Sequence, residues 1–338
     1  MNDAWLRRLG IRLPLLQAGM GGIAGPALAA AVAEAGAGGI VAMYRLPGPA
    51  VARRVRETRA LTAAPFGVNL IPELQTESAL AAQVQAALAA DARVFFSIYG
   101  LPPASLAATV RDAGRALVVM VGTPEDALEA ERRGADVVVL QGVEAGGHLL
   151  GDWPLQALLQ ASQAAGCRAP LVAAGGIAHG AAWRTLQRRG AAGCLCGTLF
   201  VCTTESEAHP HYQRRLLAAD AHDTVVSRAF ETGWPGRAHR VLRVAAAPHT
   251  QAPPGFVGSV LIDGRRHPLP RHCAMVPTMH TTGRIDEMAM YCGTGVGALS
   301  EVLPAAQRIE RFFAEARSVP YADPATTVAE RGCNSSTA

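Results

Sequence analysis

Short apolar runs alternate with alanine-rich helical segments from Leu13 to Gly197, and this rhythm restricts the possible folds more than any other feature of the sequence. The apolar runs predict eight strands, at Leu13–Ala18, Gly39–Met43, Phe66–Leu70, Val94–Ile98, Leu117–Val121, Val137–Gln141, Leu171–Ala174 and Cys194–Gly197. The runs are apolar throughout, as expected of parallel strands that are covered on both faces.

The segments between the strands predict seven helices, at Pro26–Ala35, Gly48–Ala60, Glu77–Ala89, Pro103–Ala113, Pro124–Arg133, Pro154–Ala165 and Gly180–Arg189. Several have a proline in the first turn, where its missing N–H removes no hydrogen bond, and several are followed by glycine. Eight strands joined in this way predict an α/β chain folded as a (β/α)8 TIM barrel rather than an open sheet.

The rhythm breaks near Ala218, and the stretch from Thr224 to Pro277 is richer in Pro, Gly, His and Arg. We expect a TIM barrel from residues 1–222, completed by residues 295–320. Residues 223–294 are expected to form a small α+β insertion that acts as a substrate or lid domain. Residues 321–338 are expected to be a flexible tail.

Composition excludes several classes of function. The 31 basic residues are all arginine, so Schiff-base chemistry and a lysine-containing phosphate loop have no lysine to use. The net charge of +4 is not clustered, which argues against nucleic-acid binding. Seven cysteines without a C-x-x-C pair argue against a disulfide framework and a zinc ribbon. His209 and His211 lack a completing ligand set, so we expect no metal site and interpret them as surface residues.

The N-terminus has no signal-peptide core, and no apolar run is long enough to span a membrane. We therefore expect a cytoplasmic protein without a membrane partner, either a monomer or a homodimer.

The stretch "QAGMGGIAGP", residues 17–26, contains the G-x-G-x-x-A pattern of a dinucleotide-binding turn in Gly19, Gly21 and Ala24. Such a turn needs an acidic residue at the end of the second strand to bind the ribose. The second strand ends in "AMYRLPG", which has none. Two interpretations of this stretch remain: a tight turn that allows close packing, or a backbone surface against which a flat cofactor lies.

In a TIM barrel the functional groups follow the strands at their C-terminal ends. Asn69 closes the third strand, and Gln141, Glu144 and His148 follow the sixth in "QGVEAGGHLLGDW". The glycines between them allow a ligand to approach closely. A solvated histidine in a flexible loop is the alternative, but the long loop before Pro154 favours a functional site.

Glycines after the seventh and eighth strands predict a phosphate site. Gly175 and Gly176 stand in "AAGGIAHG", and Gly197 and Thr198 in "CLCGTLF". Exposed backbone N–H groups in these two loops commonly bind phosphate in TIM barrels. Together with the amides of Asn69 and Gln141, which suit the pyrimidine edge of a flavin, they favour flavin mononucleotide (FMN).

The stretches "QAGMGGIAGPALAAAVAEAG", "GVN", "QGVEAGGH", "AAGGIAHG", "CGTLFVCTTES" and "MYCGTGVGALSEVLPAA" together resemble the nitronate monooxygenase family, formerly called 2-nitropropane dioxygenases. The resemblance extends over about residues 11 to 316. It implies a TIM barrel with bound FMN and a small second domain over the site.

The resemblance also implies the site residues. His148 would be the catalytic histidine, and Met20, His148, Tyr291 and Thr294 would face the substrate. The residues implied to contact FMN are Ala18, Gly19, Met20, Asn69, Gln141, Gly146, Gly147, Gly175, Gly176, Leu195, Cys196, Gly197 and Thr198. Leu195 and Thr294 depart from the family pattern, in which glutamine is common at or near these positions.

The family activity implies oxidation of a small-molecule alkyl nitronate, or of a nitroalkane, by O2 to a carbonyl compound and nitrite. An imidazole near its ordinary pKa would let His148 act as a hydrogen-bond donor or as a base. One alternative is an FMN-dependent NAD(P)H reductase that resembles the enoyl-ACP reductases or quinone reductases. Another is a non-catalytic or phosphosugar-binding barrel, although few acids, only Glu144 and Glu73, stand at strand ends.

Overall fold

The computed structural model describes residues 3–91, 93–246 and 255–319. Nine strands occupy the first two thirds of the chain: β1 Leu15–Gln17, β2 Ile40–Ala42, β3 Gly67–Leu70, β4 Phe95–Tyr99, β5 Leu117–Val121, β6 Val137–Gln141, β7 Gly147–His148, β8 Leu171–Ala174 and β9 Gly193–Cys196. All eight predicted strands are present, and the short β7 is an addition within the predicted sixth loop.

The helices of this region are α1 Ala4–Leu9, α2 Pro26–Glu34, α3 Gly48–Leu61, α4 Glu77–Ala90, α5 Ala104–Asp112, α6 Pro124–Arg132, α7 Leu155–Ala164, α8 Gly180–Arg188, α9 Thr198–Val201 and α10 Pro210–Leu217. The seven predicted helices correspond to α2–α8, and each predicted end lies within one residue of the observed end. Side chains of Thr76, Thr123 and His179 accept backbone N–H groups at the starts of α4, α6 and α8.

Eight parallel strands form one sheet in the order β1-β9-β8-β6-β5-β4-β3-β2. The two ends of this order meet where Leu16 pairs with Gly38, just before β2. Here the Gln17 N–H donates to the Gly38 carbonyl at 2.9 Å, and the Gln17 side-chain oxygen accepts from the Ile40 N–H at 3.0 Å. These bonds close the sheet into the predicted TIM barrel.

Successive residues of each barrel strand point alternately inward and outward. Leu16, Val118, Val139 and Val172 belong to an inner cluster, whereas their neighbours pack against the surrounding helices. Trp5 from α1 joins the inner cluster. Because the interior is filled with apolar side chains, space for a ligand is left only beyond the strand ends.

The insertion contains two small sheets outside the barrel. Its elements are β10 Thr224–Ser227, β11 His239–Leu242, α11 Arg243–Ala246, β12 Phe256–Ile262, β13 Arg265–Pro270 and β14 Thr281–Gly283. β11 pairs antiparallel with both β10 and β7, whereas β12 pairs antiparallel with both β13 and β14. An α+β insertion is therefore confirmed, and the boundaries 223–294 stay a prediction.

The chain returns to the barrel through α12, Ala305–Ser318, which packs against α8 and α2. The predicted tail, 321–338, lies outside the described residues. Among the residues that the structure describes, no helix has both the length and the apolarity that a membrane crossing requires.

Candidate active site

A cavity lies at the C-terminal ends of the barrel strands, where the insertion covers them. Fifteen of the sixteen residues predicted to contact FMN or substrate line this cavity: Ala18, Gly19, Met20, Asn69, Gln141, Gly146, Gly147, His148, Gly175, Gly176, Leu195, Cys196, Gly197, Thr198 and Tyr291. They come from six separate stretches of the chain, so the fold brings together what the sequence left dispersed.

The loop after β1 crosses directly over Asn69. A Cβ atom at Gly19 would collide with the Asn69 side chain, so glycine is required for this approach. The Asn69 amide donates to the Ser97 carbonyl at 3.1 Å. This bond fixes the orientation of a side chain that lines the cavity and has further donor and acceptor capacity.

The turns after β8 and β9 both contact the C-terminal segment at the cavity. Gly175 and Gly176 have φ of +127° and +67°, backbone conformations that favour glycine. A Cβ at Gly176 would lie 2.6 Å from Oγ1 of Thr294, so a side chain there would displace this packing. The Thr198 hydroxyl accepts the Gly293 N–H at 3.0 Å, which leaves its own proton for a ligand oxygen.

Thr294 is the one predicted substrate residue outside the cavity lining. Its backbone N–H donates to the Glu144 carbonyl at 3.0 Å, and its hydroxyl lies beside Gly176. Thr294 therefore supports the glycine turn. The side chain of Leu195 belongs to the inner barrel cluster and forms part of the cavity floor.

The segment that carries His148 is held from both sides. Gly147 and His148 form β7, where His148 pairs with His239 of β11. The Gln141 amide donates to the His148 carbonyl at 3.0 Å, and its oxygen accepts the Leu150 N–H at 2.8 Å. Arg240 donates twice to the Val143 carbonyl, at 3.0 and 2.9 Å. These bonds give a long loop one defined conformation.

His148 is buried, and this burial changes its predicted protonation. Burial, with smaller contributions from His239 and Arg237, lowers the pKa of His148 to about 3. Its Nε2 atom is buried without a hydrogen-bond partner in the described structure. The expectation of an imidazole near its ordinary pKa is therefore wrong: His148 is neutral at neutral pH.

Aromatic side chains around His148 were missed by the sequence analysis. The hydroxyl of Tyr99 is also buried without a partner in the described residues, and burial raises its pKa, so it stays protonated. Tyr44, Tyr99 and Trp234 all line the cavity. Tyr99 ends β4, and Asn69 lies near the end of β3. The expectation that functional groups stand at the C-terminal ends of barrel strands, which identified Asn69, would therefore also have identified Tyr99. No local signal marks Trp234, which comes from the insertion.

Glu144 was a candidate site residue in the sequence, and the structure gives it a different role. Its carboxylate oxygens accept the N–H of Leu155, at 3.0 and 3.2 Å, and so cap the start of α7. It does not line the cavity. Glu144 is therefore occupied with the fold of its own loop.

The two histidines outside the cavity have structural partners as well. His209 caps α10 by accepting the His211 N–H at 3.0 Å, and Nε2 of His211 lies 2.9 Å from an Asp286 oxygen. The described part of the chain holds no group of three or more His, Cys, Asp or Glu that could bind a metal ion.

No Arg, Asp or Glu is among the described residues that line the cavity. A bound anion would therefore be stabilised by N–H and O–H donors rather than by an opposite charge. The lining offers one group of glycine N–H donors with a hydroxyl, at Gly175, Gly176, Gly197 and Thr198, and a second group formed by the imidazole of His148 and the phenol of Tyr99. It suits a cofactor phosphate at the first group and a small polar substrate at the second.

Comparisons with known proteins match almost the whole chain. The family model described as nitronate monooxygenase matches residues 4–315. A nitronate monooxygenase of Pseudomonas aeruginosa is 30% identical over 364 aligned positions, which cover 94% of this chain and 100% of the relative.

Two solved structures share the fold over almost the whole chain. A nitroalkane oxidase of Streptomyces ansochromogenes has a TM-score of 0.72 and 29% identity, covering 92% of this chain and 98% of that one. FabK from Thermotoga maritima has a TM-score of 0.75 and 25% identity, covering 98% of this chain and 97% of that one.

Proposed function

The chain belongs to the nitronate monooxygenase family, and from this premise we propose that it binds FMN and oxidises alkyl nitronates with O2 to a carbonyl compound and nitrite. The observation that carries the proposal is that His148, whose buried Nε2 has no partner among the described residues, lines the same cavity as the glycine turns.

The residues of the cavity fit an FMN. The N–H groups of Gly176 and Gly197 and the free hydroxyl proton of Thr198 would hold the phosphate. The backbone from Ala18 to Met20 would support the ring, with the Asn69 and Gln141 amides toward its pyrimidine edge. When bound, FMN would supply a two-electron acceptor whose reduced form can be oxidised again by O2.

His148 and Tyr99 would orient the substrate. A nitronate has two oxygen atoms in one plane, and each of these side chains offers a buried polar atom without a partner in the described residues. In this cavity, where none of the described lining residues is Arg, Asp or Glu, hydrogen bonds to an anion are stronger than in water. The two groups would therefore bind the nitronate and hold its reacting carbon against the cofactor.

The lowered pKa of His148 favours the nitronate anion over the neutral nitroalkane as substrate. A nitroalkane must lose a proton, and a general base works best when its pKa lies near the operating pH. A histidine with a pKa of about 3 is a weak base, and no carboxylate lines the cavity in the described residues. A nitronate is already deprotonated and needs only to be bound.

An FMN-dependent reductase that uses NAD(P)H is the second candidate. The fold shared with FabK from T. maritima over almost the whole chain favours it. Reductase activity would need the cavity to admit a nicotinamide ring beside His148. The two candidate functions are therefore distinguished by whether propyl nitronate or NADH reacts with the protein.

Turnover of the FMN-loaded protein tests the role of His148. We expect nitrite release and O2 consumption with propyl nitronate, and a loss of about tenfold or more in His148→Asn, equivalent to about 1.4 kcal/mol, the size of one hydrogen bond. His179→Asn is the matched control, because His179 caps α8 and asparagine is a good capping residue. Unchanged turnover in His148→Asn with FMN still bound would remove His148 from the mechanism.

A further inference from the structure

Trp234 comes from the insertion, and its indole ring contacts three aromatic side chains of the barrel loops. It stacks on His148 with the ring centroids 3.8 Å apart and the planes at 14°. It meets Tyr99 edge-on at 5.3 Å and lies over Tyr44 at 5.9 Å. His148 lies after β6, Tyr99 ends β4 and Tyr44 lies after β2, so one side chain contacts separate parts of the barrel.

Glu73, in the loop after β3, fixes the position of this indole. The Trp234 Nε1–H donates to Glu73 Oε1 at 2.6 Å, and Arg237 donates to Glu73 Oε2 at 2.6 Å through Nη2 and at 3.0 Å through Nε. The Tyr44 hydroxyl donates to the Gly233 carbonyl at 3.1 Å. The indole is thus anchored to the barrel on both sides.

The stacking decides how a ligand can reach His148. Rings 3.8 Å apart are in van der Waals contact, so no atom fits between them and this face of the imidazole is closed. Nε2, which has no partner among the described residues, can accept or donate a hydrogen bond only in the plane of the ring. Because Trp234 also lines the cavity, bulk on the reacting carbon of a nitronate bound at His148 would meet the indole ring.

We propose that Trp234, anchored by Glu73, determines substrate size, admitting nitronates with short unbranched alkyl chains and excluding those with a phenyl group on the reacting carbon. The inference rests on the proposed function for its substrate class. A side chain that limits the size of an apolar pocket commonly changes the ratio of kcat/KM between two substrates by about 10-fold to 200-fold.

The first test compares kcat/KM for propyl nitronate with that for the nitronate of phenylnitromethane. We expect Trp234→Ala to raise the phenyl-to-propyl ratio by about tenfold or more. Trp153→Ala is the matched control, because Trp153 is a partly exposed tryptophan that does not line the cavity. An unchanged ratio in Trp234→Ala, or an equal rise in Trp153→Ala, would overturn the proposal.

The anchor is tested with two substitutions of Glu73. Glu73→Ala removes the acceptor of the indole N–H, and we expect the ratio to rise as in Trp234→Ala. Glu73→Gln keeps an oxygen acceptor for the indole, and we expect a smaller rise. Equal phenyl-to-propyl ratios of kcat/KM in wild type and Glu73→Ala would show that Glu73 does not fix the position of Trp234.

Ligand binding separates failure of this inference from failure of the proposed function. Butyrate and phenylacetate carry a planar two-oxygen anion like a nitronate, and calorimetry of their binding needs neither turnover nor a particular reaction. We expect wild type to prefer butyrate and Trp234→Ala to lose that preference. If no nitronate is oxidised but the preference changes as stated, the proposed function fails and the role of Trp234 stands. An equal preference for butyrate in wild type and in Trp234→Ala would overturn the role of Trp234.

Discussion

The side-chain amide of Gln141 donates a 3.0 Å hydrogen bond to the carbonyl oxygen of His148, seven residues further along the chain. The oxygen of the same amide accepts the Leu150 N–H, so one buried side chain spans the backbone on both sides of Leu149. The end of β6 thereby fixes the segment that presents the imidazole to the cavity.

Gln141→Leu should therefore destabilise the protein more than loss of an exposed bond of the same kind. It leaves a carbonyl and an N–H unpaired in a buried region, at about 1–3 kcal/mol for each group. Gln163→Leu is the control, because its amide donates to the Arg189 carbonyl at an exposed position. Urea unfolding measures both, and equal changes in the free energy of unfolding would contradict the account.

Gly176→Ala should abolish tight FMN binding. A Cβ there would lie 2.6 Å from Oγ1 of Thr294, in the turn assigned to the phosphate. Gly166→Ala carries the same strain of a positive φ, at +88°, with no atom within 4 Å. Each should lose about 1 kcal/mol of stability from the positive φ, and Gly176→Ala should lose more because of its clash with Thr294. Only Gly176→Ala should elute without flavin absorbance. Equal flavin content in the two variants would remove the phosphate assignment.

The lowered pKa of His148 predicts a specific dependence of stability on pH. Between its unfolded value of 6.5 and its folded value of about 3, the unfolded chain binds the proton and the folded protein does not. Stability therefore falls as the pH is lowered through this window, by up to about 1.4 kcal/mol per pH unit from this residue.

His148→Asn lacks this contribution, and comparing it with wild type isolates the residue. His239, whose pKa is also lowered by burial, is present in both proteins and cancels. The free energy of unfolding of the variant, relative to wild type, should rise steadily from pH 7 to pH 5. A difference that does not change with pH would mean that the imidazole titrates normally in the folded state.

Glu144→Ala separates a capping role from a chemical one. Because its carboxylate accepts the first N–H of α7, the variant should lose about 0.5–2 kcal/mol of stability. FMN content and kcat/KM for propyl nitronate should remain those of wild type, since the side chain does not line the cavity. A loss of turnover without a loss of stability would return Glu144 to the candidate catalytic residues.

The barrel could be predicted from sequence because its signals are local. Each strand is an apolar run such as Val137–Gln141, and each helix has its own proline, cap or glycine. The positions of Asn69, His148 and Gly176 follow from the same pattern, since barrel loops converge on one face. The glycine pair and the histidine could therefore be predicted from the sequence to lie at one site.

What could not be predicted depends on contacts between distant segments. β7 exists because His148 pairs with His239, and nothing in "EAGGH" indicates a strand. The low pKa of His148 arises from burial that the insertion completes, with Trp234 on one face. The role of Glu144 depends on where α7 begins relative to its loop. In each case the deciding partner is a matter of tertiary packing.

Anaerobic mixing of the FMN-loaded protein with propyl nitronate, and separately with NADH, tests the central claim most directly. The absorbance of oxidised flavin near 450 nm reports transfer of electrons to the cofactor. We predict rapid bleaching by propyl nitronate, none by NADH on the same timescale, and return of the absorbance when O2 is admitted. Rapid bleaching by NADH with none by the nitronate would contradict the account and identify a reductase.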